Sequence, residues 1–511
     1  MGIHTFAAIY IGSYEVSIKI FELSAKKKIR VVDYVRSRVE LGRDTYLKGS
    51  IGYELVEALC DTLEQFTQIM KEYRVEQYEA YAAAALRNAS NELFILDQIK
   101  IRTGLEVHIL SNSEHRFINY KSVATREEFE PMIQKSAAVL DVGGSGLQIT
   151  VFSKGKVVTT QNLGLSTMRM REQLSKKSSN LAQYELQIEE MVQKELEVFK
   201  AMYLENEKVE YLIVIGDYIT EIVRRMEKNL SENTVDAPKF LRYLEKLSKR
   251  SLAQLTEEIG LSNENDALIV PYIIIFKCMA EGLAADKLWA PGVNVSDGIA
   301  CEYAEKNKIF KASHDFDADI ISAAKSLSHR YMSYTPHIDA LTGMSTLIFD
   351  TMKKVHGLGK RERLLLQVAA ILHDCGKYVS FANGPTCSYE IIMASEIIGL
   401  SHLEREIVAY TALYNTRPLP AYEEIRSELD HDSYLIVAKL SAILRVSNAM
   451  DRSHKQKFKN VRASIRGKEL VITIETMDDI ALEKALFDAK TTYFEHIFSI
   501  KPVIREKRVY S

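Results

Sequence analysis

The chain has 511 residues, of which 47% are hydrophobic and 26% are charged, and its formal net charge at pH 7 is −3. This length predicts three or four domains, and the nearly balanced charge argues against a general nucleic-acid-binding protein. The five cysteines are scattered without CxxC spacing, which indicates a reducing compartment. No segment predicts a signal peptide or a membrane span. We therefore expect a soluble, cytoplasmic protein with neither nucleic-acid nor membrane partners.

The N-terminal part of the chain contains one internal repeat of a β-turn-β pattern. The segment "AAIYIGSYEVSIKIF" (7–21) aligns with "AAVLDVGGSGLQITVF" (137–152) when Gly12 is placed on Gly143. Apolar residues alternate along both segments, which predicts two strands joined by a glycine turn. Helical patterns and a further strand follow each copy. Because backbone N–H groups of glycine turns can contact phosphate oxygens, a duplicated α/β half predicts two lobes with a phosphate cleft between them.

The character of the sequence changes near residue 313. Helical periodicity dominates from there to about residue 455, and the tail reads strand, strand, helix, strand. We therefore expect a first lobe over 1–130, a second lobe over 131–312, an all-α domain over 313–455 and a small α+β module over 456–511.

The chain resembles the exopolyphosphatase and guanosine pentaphosphate phosphohydrolase (Ppx/GppA) family. The resemblance is carried by the two glycine turns described above and by two further segments, "YAAAALRNA" and "GLEVHILSNSEHRFINYKSV". The resemblance implies the duplicated, actin-like α/β fold of acetate and sugar kinases, Hsc70 and actin. The segments "LHDCGKY" and "ILRVSNAMDRSH" resemble the HD-type domain at the C-terminus of longer members. The likeness extends from about residue 6 to 505, and it implies a two-lobed fold followed by a helical HD-type domain and a small α+β module.

The resemblance also implies a set of phosphate-binding residues in the cleft between the lobes, here named the front cleft. The family turn Asp-Ile-Gly-Gly-Gly-Ser-Thr-Glu corresponds to residues 141–148, where Asp141 and two glycines match and Gln148 replaces the last carboxylate. In the first turn, Tyr10 replaces the family aspartate and Tyr14 the asparagine. The residues implied to bind phosphate are Arg87, Gly12, Ser13, Gly143, Gly144, Ser145 and Gly216.

Catalysis in the front cleft would depend on a base and a cation. Glu114 falls on the family glutamate that is thought to activate water, although the neighbouring family residues have become His115, Arg116 and Phe117. Asp141 could hold a hydrated Mg²⁺, which would spread the charge of the transferring phosphoryl group. The replacements at Tyr10 and Gln148 remove two carboxylates that could hold the cation.

The helical domain has a metal-binding pattern of its own. His373 and Asp374 are adjacent, and His337 and Asp451 complete a quartet that suits one divalent metal, whether Mn²⁺, Fe²⁺, Mg²⁺ or Zn²⁺. Lys377 could meet a phosphate. Longer relatives often carry histidines where this chain has Cys387 and Asn415, so we do not expect a second metal. The alternative is that these histidines and aspartates only hydrogen-bond to one another.

Three functions are compatible with these patterns. The first is a phosphohydrolase that removes terminal phosphate from inorganic polyphosphate or from pppGpp in the front cleft, with Mg²⁺. The second is a metal-dependent nucleotide phosphohydrolase centred on the HD-type domain. The third is a non-catalytic sensor of polyphosphate or of guanosine tetra- and pentaphosphate. The family resemblance further implies a homodimer, although no sequence feature shows an interface.

Overall fold

The chain divides into two compact units, Met1–Asp315 and Phe316–Ser511. This computed structural model describes residues 3–25, 28–143, 146–165, 167, 170, 181–204, 208–226, 234–259, 269–311 and 314–508. Gly144 and Ser145, both predicted to bind phosphate, lie outside the described residues. The finer division into four domains stays a prediction.

Two mixed sheets form the framework of the first unit. The first sheet has the order β3-β2-β1-β4-β5, and the second has the order β10-β11-β9-β6-β7-β8. The strands of the first are β1 (His4–Ile11), β2 (Glu15–Ser24), β3 (Lys28–Arg38), β4 (Gln77–Ala82) and β5 (Val107–Ile109). Those of the second are β6 (Ser136–Val142), β7 (Leu147–Ser153), β8 (Lys156–Asn162), β9 (Tyr211–Ile215), β10 (Thr234–Asp236) and β11 (Lys287–Trp289).

The predicted repeat is confirmed by the strand pairing. β1 pairs antiparallel with β2 and parallel with β4, and β6 pairs antiparallel with β7 and parallel with β9. In each copy the glycine turn joins the two strands of the hairpin, and the returning strand lies on its other side. The duplicated α/β organisation therefore follows the alternation seen in the sequence.

Helices cover both faces of the first sheet. Along β1, Ala7, Ile9 and Ile11 belong to one core cluster, whereas Phe6 and Ala8 belong to another. Such alternation with burial on both faces explains why the strand is almost entirely apolar. The helices of this unit are Leu41–Lys48, Tyr53–Glu72, Ala84–Arg87, Glu92–Thr103, Asn112–Ala124, Phe129–Ile133, Leu181–Tyr203, Asp217–Met226, Ala237–Ser248, Leu252–Ile259, Ile269–Gly282 and Val295–Lys306.

One of these helices joins sequence-distant parts of the unit. Val295 and Ile299 of the helix Val295–Lys306 pack in the same cluster as Phe6 and Ala8 of β1. On the same side, Lys19 Nζ lies 2.7 Å from Asp297 Oδ2, and the two side chains are only 8% and 6% exposed. The end of this unit is thereby attached to its first sheet.

The second unit is mainly helical and ends in a three-stranded sheet. Its helices are Phe316–Arg330, Thr335–Thr351, Lys353–His356, Lys360–Leu372, Gly384–Ala394, His402–Leu413, Tyr422–Ile425, His431–Ala449 and Ala481–Phe498. The sheet has the order β12-β13-β14, with β12 (Lys459–Arg466), β13 (Glu469–Thr476) and β14 (Lys501–Arg508). The predicted order of strand, strand, helix, strand is confirmed. Among the described helices of the chain, none is long and apolar enough to cross a membrane.

Replacement of Asp297 by alanine tests the buried ion pair. Asp297→Ala leaves the Lys19 ammonium buried without its carboxylate, so we expect the free energy of unfolding to fall by about 3–5 kcal/mol. Glu22→Ala is the control, because the Arg30–Glu22 pair is 61% and 32% exposed and should contribute about 0–1 kcal/mol. Urea unfolding followed by the fluorescence of Trp289 measures both. Equal losses would contradict the assigned role of the pair.

Candidate functional site

A cavity of about 740 Å³ lies between the two halves of the first unit. Its walls include both glycine turns, through Gly12 and Gly143, and the start of the helix that follows β9, through Gly216. These elements meet because each sheet places the end of a hairpin strand beside the end of a parallel strand. The cavity is the front cleft expected from the repeat.

The first glycine turn is closed by its own backbone. Gly12 N–H donates to the Glu15 carbonyl at 2.9 Å, and a Cβ at this position would meet that oxygen at 2.9 Å, so only glycine fits without a shift. Ser13 Oγ lies 3.2 Å from Tyr46 Oη. The Gly12 amide is thus engaged within the turn, while Ser13 lines the cavity.

The second turn repeats this geometry. Gly143 N–H donates to the Gly146 carbonyl at 2.9 Å, and Thr167 Oγ1 donates to the Gly143 carbonyl at 3.2 Å. Gly216 has φ +143°, a conformation that favours glycine, and it precedes the helix Asp217–Met226. An N-terminus of this kind presents backbone N–H groups and a partial positive charge to anions.

Asp141 is a carboxylate in the wall of the cavity. Asn119 Nδ2 donates to its Oδ2 at 2.5 Å. Removal from water raises the pKa of Asp141 to about 6, although the Asn119 hydrogen bond and the Arg116 charge act in the opposite direction. A cation beside Asp141 would stabilise its charged form, so the residue fits the metal role predicted for it.

Tyr10 and His115 fill the space next to Asp141. Tyr10 Oη lies 2.8 Å from His115 Nε2, and the two rings stack with centroids 5.6 Å apart. Burial lowers the pKa of His115 to about 4, with further lowering by the charges of Arg87 and Arg116. Burial and the Asp141 charge raise the pKa of Tyr10. Both groups are therefore neutral at pH 7, and a single hydrogen bond joins the Tyr10 hydroxyl to the imidazole nitrogen.

Glu114, the predicted base, has a structural task in this conformation. Its Oε2 accepts from Ser111 N–H at 2.8 Å, and Ser111 Oγ accepts from Glu114 N–H at 3.2 Å. This capping box begins the helix Asn112–Ala124. His115, rather than Glu114, lines the cavity. The sequence carried the signal for this arrangement, because Ser-x-x-Glu before a helix is the capping-box pattern.

Arg87 lies at the end of the short helix Ala84–Arg87, outside the residues that line the cavity. Its guanidinium donates to the Leu110 carbonyl and, at 2.5 Å, to Asn112 Oδ1. The side chain therefore connects its own helix to the segment that precedes Glu114. Its contact with phosphate stays a prediction.

Cationic side chains occupy opposite walls of the front cleft. Arg36 and Arg38 come from β3, and Arg224 comes from the helix Asp217–Met226. Among the described residues that line the cavity, the carboxylates are those of Glu15, Asp141 and Glu221. This arrangement can attract an extended anion to both walls.

The second unit brings the four residues of the predicted metal quartet close together. His337 and His373 are 1% and 4% exposed, and their ring centroids are 5.3 Å apart. His373 Nε2 lies 3.4 Å from Asp374 Oδ1, and Lys377 Nζ lies 2.5 Å from Asp374 Oδ2. Despite the opposing effect of burial, the charges of His373 and Lys377 lower the pKa of Asp374 to about 2.

Asp451 and His454 both contact the His337 ring. Asp451 Oδ2 is 2.8 Å from His337 Nδ1, while the His454 ring stacks on the His337 ring with centroids 3.8 Å apart. Ligand atoms of His337, Asp374 and His454 lie within 4.8 Å of one another. Sequence reasoning missed His454, although it is the last residue of the segment "ILRVSNAMDRSH".

Comparison with known families gives a consistent result. The model of the Ppx/GppA phosphatase family matches residues 20–307, and the model of domain III of Ppx/GppA phosphatases matches residues 321–491. Two curated relatives are guanosine-5'-triphosphate,3'-diphosphate pyrophosphatases. The one from Aeromonas hydrophila is 20% identical over 81% of this chain and 80% of its own length. The one from Vibrio atlanticus is 20% identical over 78% of each chain.

Solved structures show the same fold. The Ppx/GppA family member from Aquifex aeolicus has a TM-score of 0.51 and 19% identity, and the match covers 61% of this chain and 100% of that one. An exopolyphosphatase from Cytophaga hutchinsonii has a TM-score of 0.52 and 16% identity, with 60% of this chain and 99% of that one covered. The likeness supports the actin-like fold of the family, while the HD-type identity of the helical domain stays a prediction.

Replacement of Asp141 by asparagine tests the electrostatics of the front cleft. A carboxyl whose pKa is raised on folding costs stability above the pKa of the unfolded chain, and the full cost is present above about pH 6. Asp141→Asn removes the charge and can still accept from Asn119. We therefore expect it to raise the free energy of unfolding by roughly 1–3 kcal/mol at pH 8 and by almost nothing below pH 4.

The measurement is urea unfolding across this pH range, without divalent ions. Asp286→Asn is the control, because Asp286 is an exposed partner of Lys208. A gain that does not vary with pH would show that the charge of Asp141 is not the cause.

Proposed function

The chain belongs to the Ppx/GppA phosphatase family, and on that premise we propose that its front cleft removes terminal phosphate from pppGpp or from inorganic polyphosphate. The observation that carries the proposal is the position of Asp141, in the wall of a cavity that also contains both glycine turns and arginines on opposite walls. The names of the curated relatives support a guanosine phosphate, and the name of the Cytophaga protein supports polyphosphate.

Phosphate would be held mainly by backbone N–H groups and arginines. The amides of Gly12 and Gly143 are engaged within their turns, so we propose that Ser13 and the helix start after Gly216 make the direct contacts, together with Gly144 and Ser145. Arg36 and Arg224 would bind the two ends of an extended chain of phosphates. Arg87 would contact phosphate with part of its guanidinium while the rest braces Leu110 and Asn112.

Mg²⁺ at Asp141 would neutralise charge on the phosphoryl group when bound. The water would be oriented from the side of His115, whose neutral imidazole lies in the cavity wall and is held by Tyr10. Glu114 uses Oε2 in its capping box, so its predicted role as base would need its other oxygen. Either side chain, once positioned beside the water, meets the requirement for orienting it.

The sensor function is supported by a specific observation. Tyr10 and Gln148 place neutral groups where the family resemblance implies carboxylates, and Gln148 is the strand partner of Asp141, so this cleft offers Mg²⁺ fewer charged ligands. A protein with such a site could bind pppGpp or polyphosphate without turning it over. The rate of phosphate release separates this function from the first.

We also propose that the second unit binds a divalent metal, as the quartet of His337, His373, Asp374 and Asp451 predicts. The supporting observation is that Nε2 of His337 and Nε2 of His373 are buried without a hydrogen-bond partner among the described residues. A metal would satisfy both lone pairs, and Lys377 lies close enough to meet a phosphate bound there. Nucleotide phosphohydrolysis at this centre is the alternative catalytic function.

Arg87 is tested by its effect on ligand affinity. Loss of a charge-assisted contact to phosphate costs roughly 1.5–3 kcal/mol, so Arg87→Ala should weaken binding of polyphosphate or pppGpp by about ten- to a hundredfold. Arg102→Ala is the control, because Arg102 pairs with Glu57, Asp61 and Glu64 away from the cavity. Calorimetry measures both. Equal affinities of the two variants would place the ligand elsewhere.

Gln148→Glu tests whether the front cleft lacks charge. Asp141 and Gln148 are directly paired on β6 and β7, so their side chains share one face of the sheet. The new carboxylate is nearly isosteric, and it should strengthen Mg²⁺ binding and raise Mg²⁺-dependent phosphate release.

Adding Asp141→Asn to this variant should abolish the gain, because one of the two carboxylates is lost again. Gln161→Glu on β8 is a control for added negative charge in the same sheet. If Gln148→Glu binds pppGpp and Mg²⁺ yet releases no phosphate, the sensor function is the correct one.

A further inference from the structure

The buried histidines His337 and His373 of the second unit share one pattern of hydrogen bonds. His373 Nδ1 lies 2.8 Å from the Ala370 carbonyl, which can only accept, so Nδ1 carries the proton and Nε2 has a lone pair. His337 Nδ1 faces the Asp451 carboxylate in the same way. Neither Nε2 has a hydrogen-bond partner among the residues that the structure describes. Two buried lone pairs without donors point to a cation.

Asp451 accepts three hydrogen bonds through its two carboxylate oxygens. Its Oδ1 accepts from Gln456 N–H at 2.8 Å, and its Oδ2 accepts from His337 Nδ1 and, at 3.1 Å, from Gln456 Nε2. The contact with Nδ1 puts the carboxylate on the opposite side of the His337 ring from Nε2. This is the position of an outer partner that orients a metal-binding histidine.

His454 is a further potential ligand of this centre. Its ring lies against His337, and one of its nitrogens belongs to the group of potential ligand atoms formed with His337 and Asp374. Asp374 is engaged by Lys377 through Oδ2, while its Oδ1 lies next to His373 Nε2. His373 lies outside that group of three, but its Nε2 is 3.4 Å from Asp374 Oδ1, so the available donors are three imidazoles and one carboxylate oxygen.

The loop that carries His454 is held in an unfavourable conformation. His454 has φ +56° and Gln456 has φ +48°, in the left-handed region. The loop is fixed by the Gln456–Asp451 contacts and by Lys457 Nζ, which lies 2.9 Å from the fully buried Glu483 Oε2. Backbone strain that the surrounding structure maintains is concentrated at functional sites.

We infer that this centre binds its metal through His337, His373, Asp374 and His454, with Asp451 as the outer carboxylate that orients His337. The inference rests on the proposal above that this unit binds a metal. Imidazole-rich ligand sets suit Zn²⁺, Fe²⁺ and Co²⁺, whereas Mg²⁺ requires oxygen ligands and retains water. The centre therefore selects a transition metal and rejects Mg²⁺.

Metal affinities of the full chain test the ligand assignment. After removal of metals by a chelator, Zn²⁺, Co²⁺ and Mg²⁺ are titrated in competition with a metal-binding dye, and the Co²⁺ protein is also measured by visible absorption. Loss of an outer partner lowers metal affinity by about 10- to 100-fold. His454→Ala should lower the affinity for Co²⁺ and Zn²⁺ by more than this, and it should change the Co²⁺ spectrum. Asp451→Asn should weaken binding within that range and keep the spectrum.

His431→Ala is the matched control, because His431 is an exposed histidine of the same unit. His454→Gln repeats the test if His454→Ala does not fold, as judged by circular dichroism. The inference is overturned if His454 variants match the control, if Asp451→Asn alone alters the spectrum, or if Mg²⁺ binds as tightly as Zn²⁺. Absence of any bound metal would overturn both this inference and the proposed metal site, whereas phosphate release in the front cleft is measured independently.

Discussion

The hydrogen bond between Tyr10 and His115 determines what the front cleft can do. It keeps two neutral rings beside Asp141, so Asp141 is left with little help in holding a cation. The pKa of this carboxyl is raised to about 6 because burial removes its charged form from water. The Asp141 charge therefore destabilises the folded protein without ligand, and it stabilises the complex once a cation and phosphates bind. Ligand binding in this cleft therefore depends on the cation replacing the water that Asp141 has lost.

The duplicated sheets make this arrangement possible. Each half supplies a hairpin turn to one cavity, and the second half adds the segment that follows β9. The Lys19–Asp297 ion pair and the apolar contacts of the helix Val295–Lys306 fix one wall, although the paired residues are 278 positions apart. The chemistry of the cleft can then vary at side chains other than the glycines that the turns require.

Much of the fold could be predicted because its signals are local. Alternating apolar residues around Gly12 and Gly143 specify hairpins, and the order of elements in the tail follows from periodicity alone. The site was harder to predict because it depends on which way neighbouring side chains point. Glu114 and His115 are adjacent, and only the capping box decides that the histidine lines the cavity. His454 depends on a left-handed loop tied to Glu483, a contact that no local pattern encodes.

The most direct test of the account is phosphate release from pppGpp and from polyphosphate by the unmodified protein, with and without Mg²⁺. We predict release that requires Mg²⁺, and below about pH 6 it should need a higher Mg²⁺ concentration, because protons then compete with the cation for Asp141. The Asp141→Asn protein should release no phosphate at any pH, while the His373→Ala protein should retain the activity. Release that is unchanged in Asp141→Asn, or that is lost in His373→Ala instead, would contradict the assignment of the reaction to the front cleft.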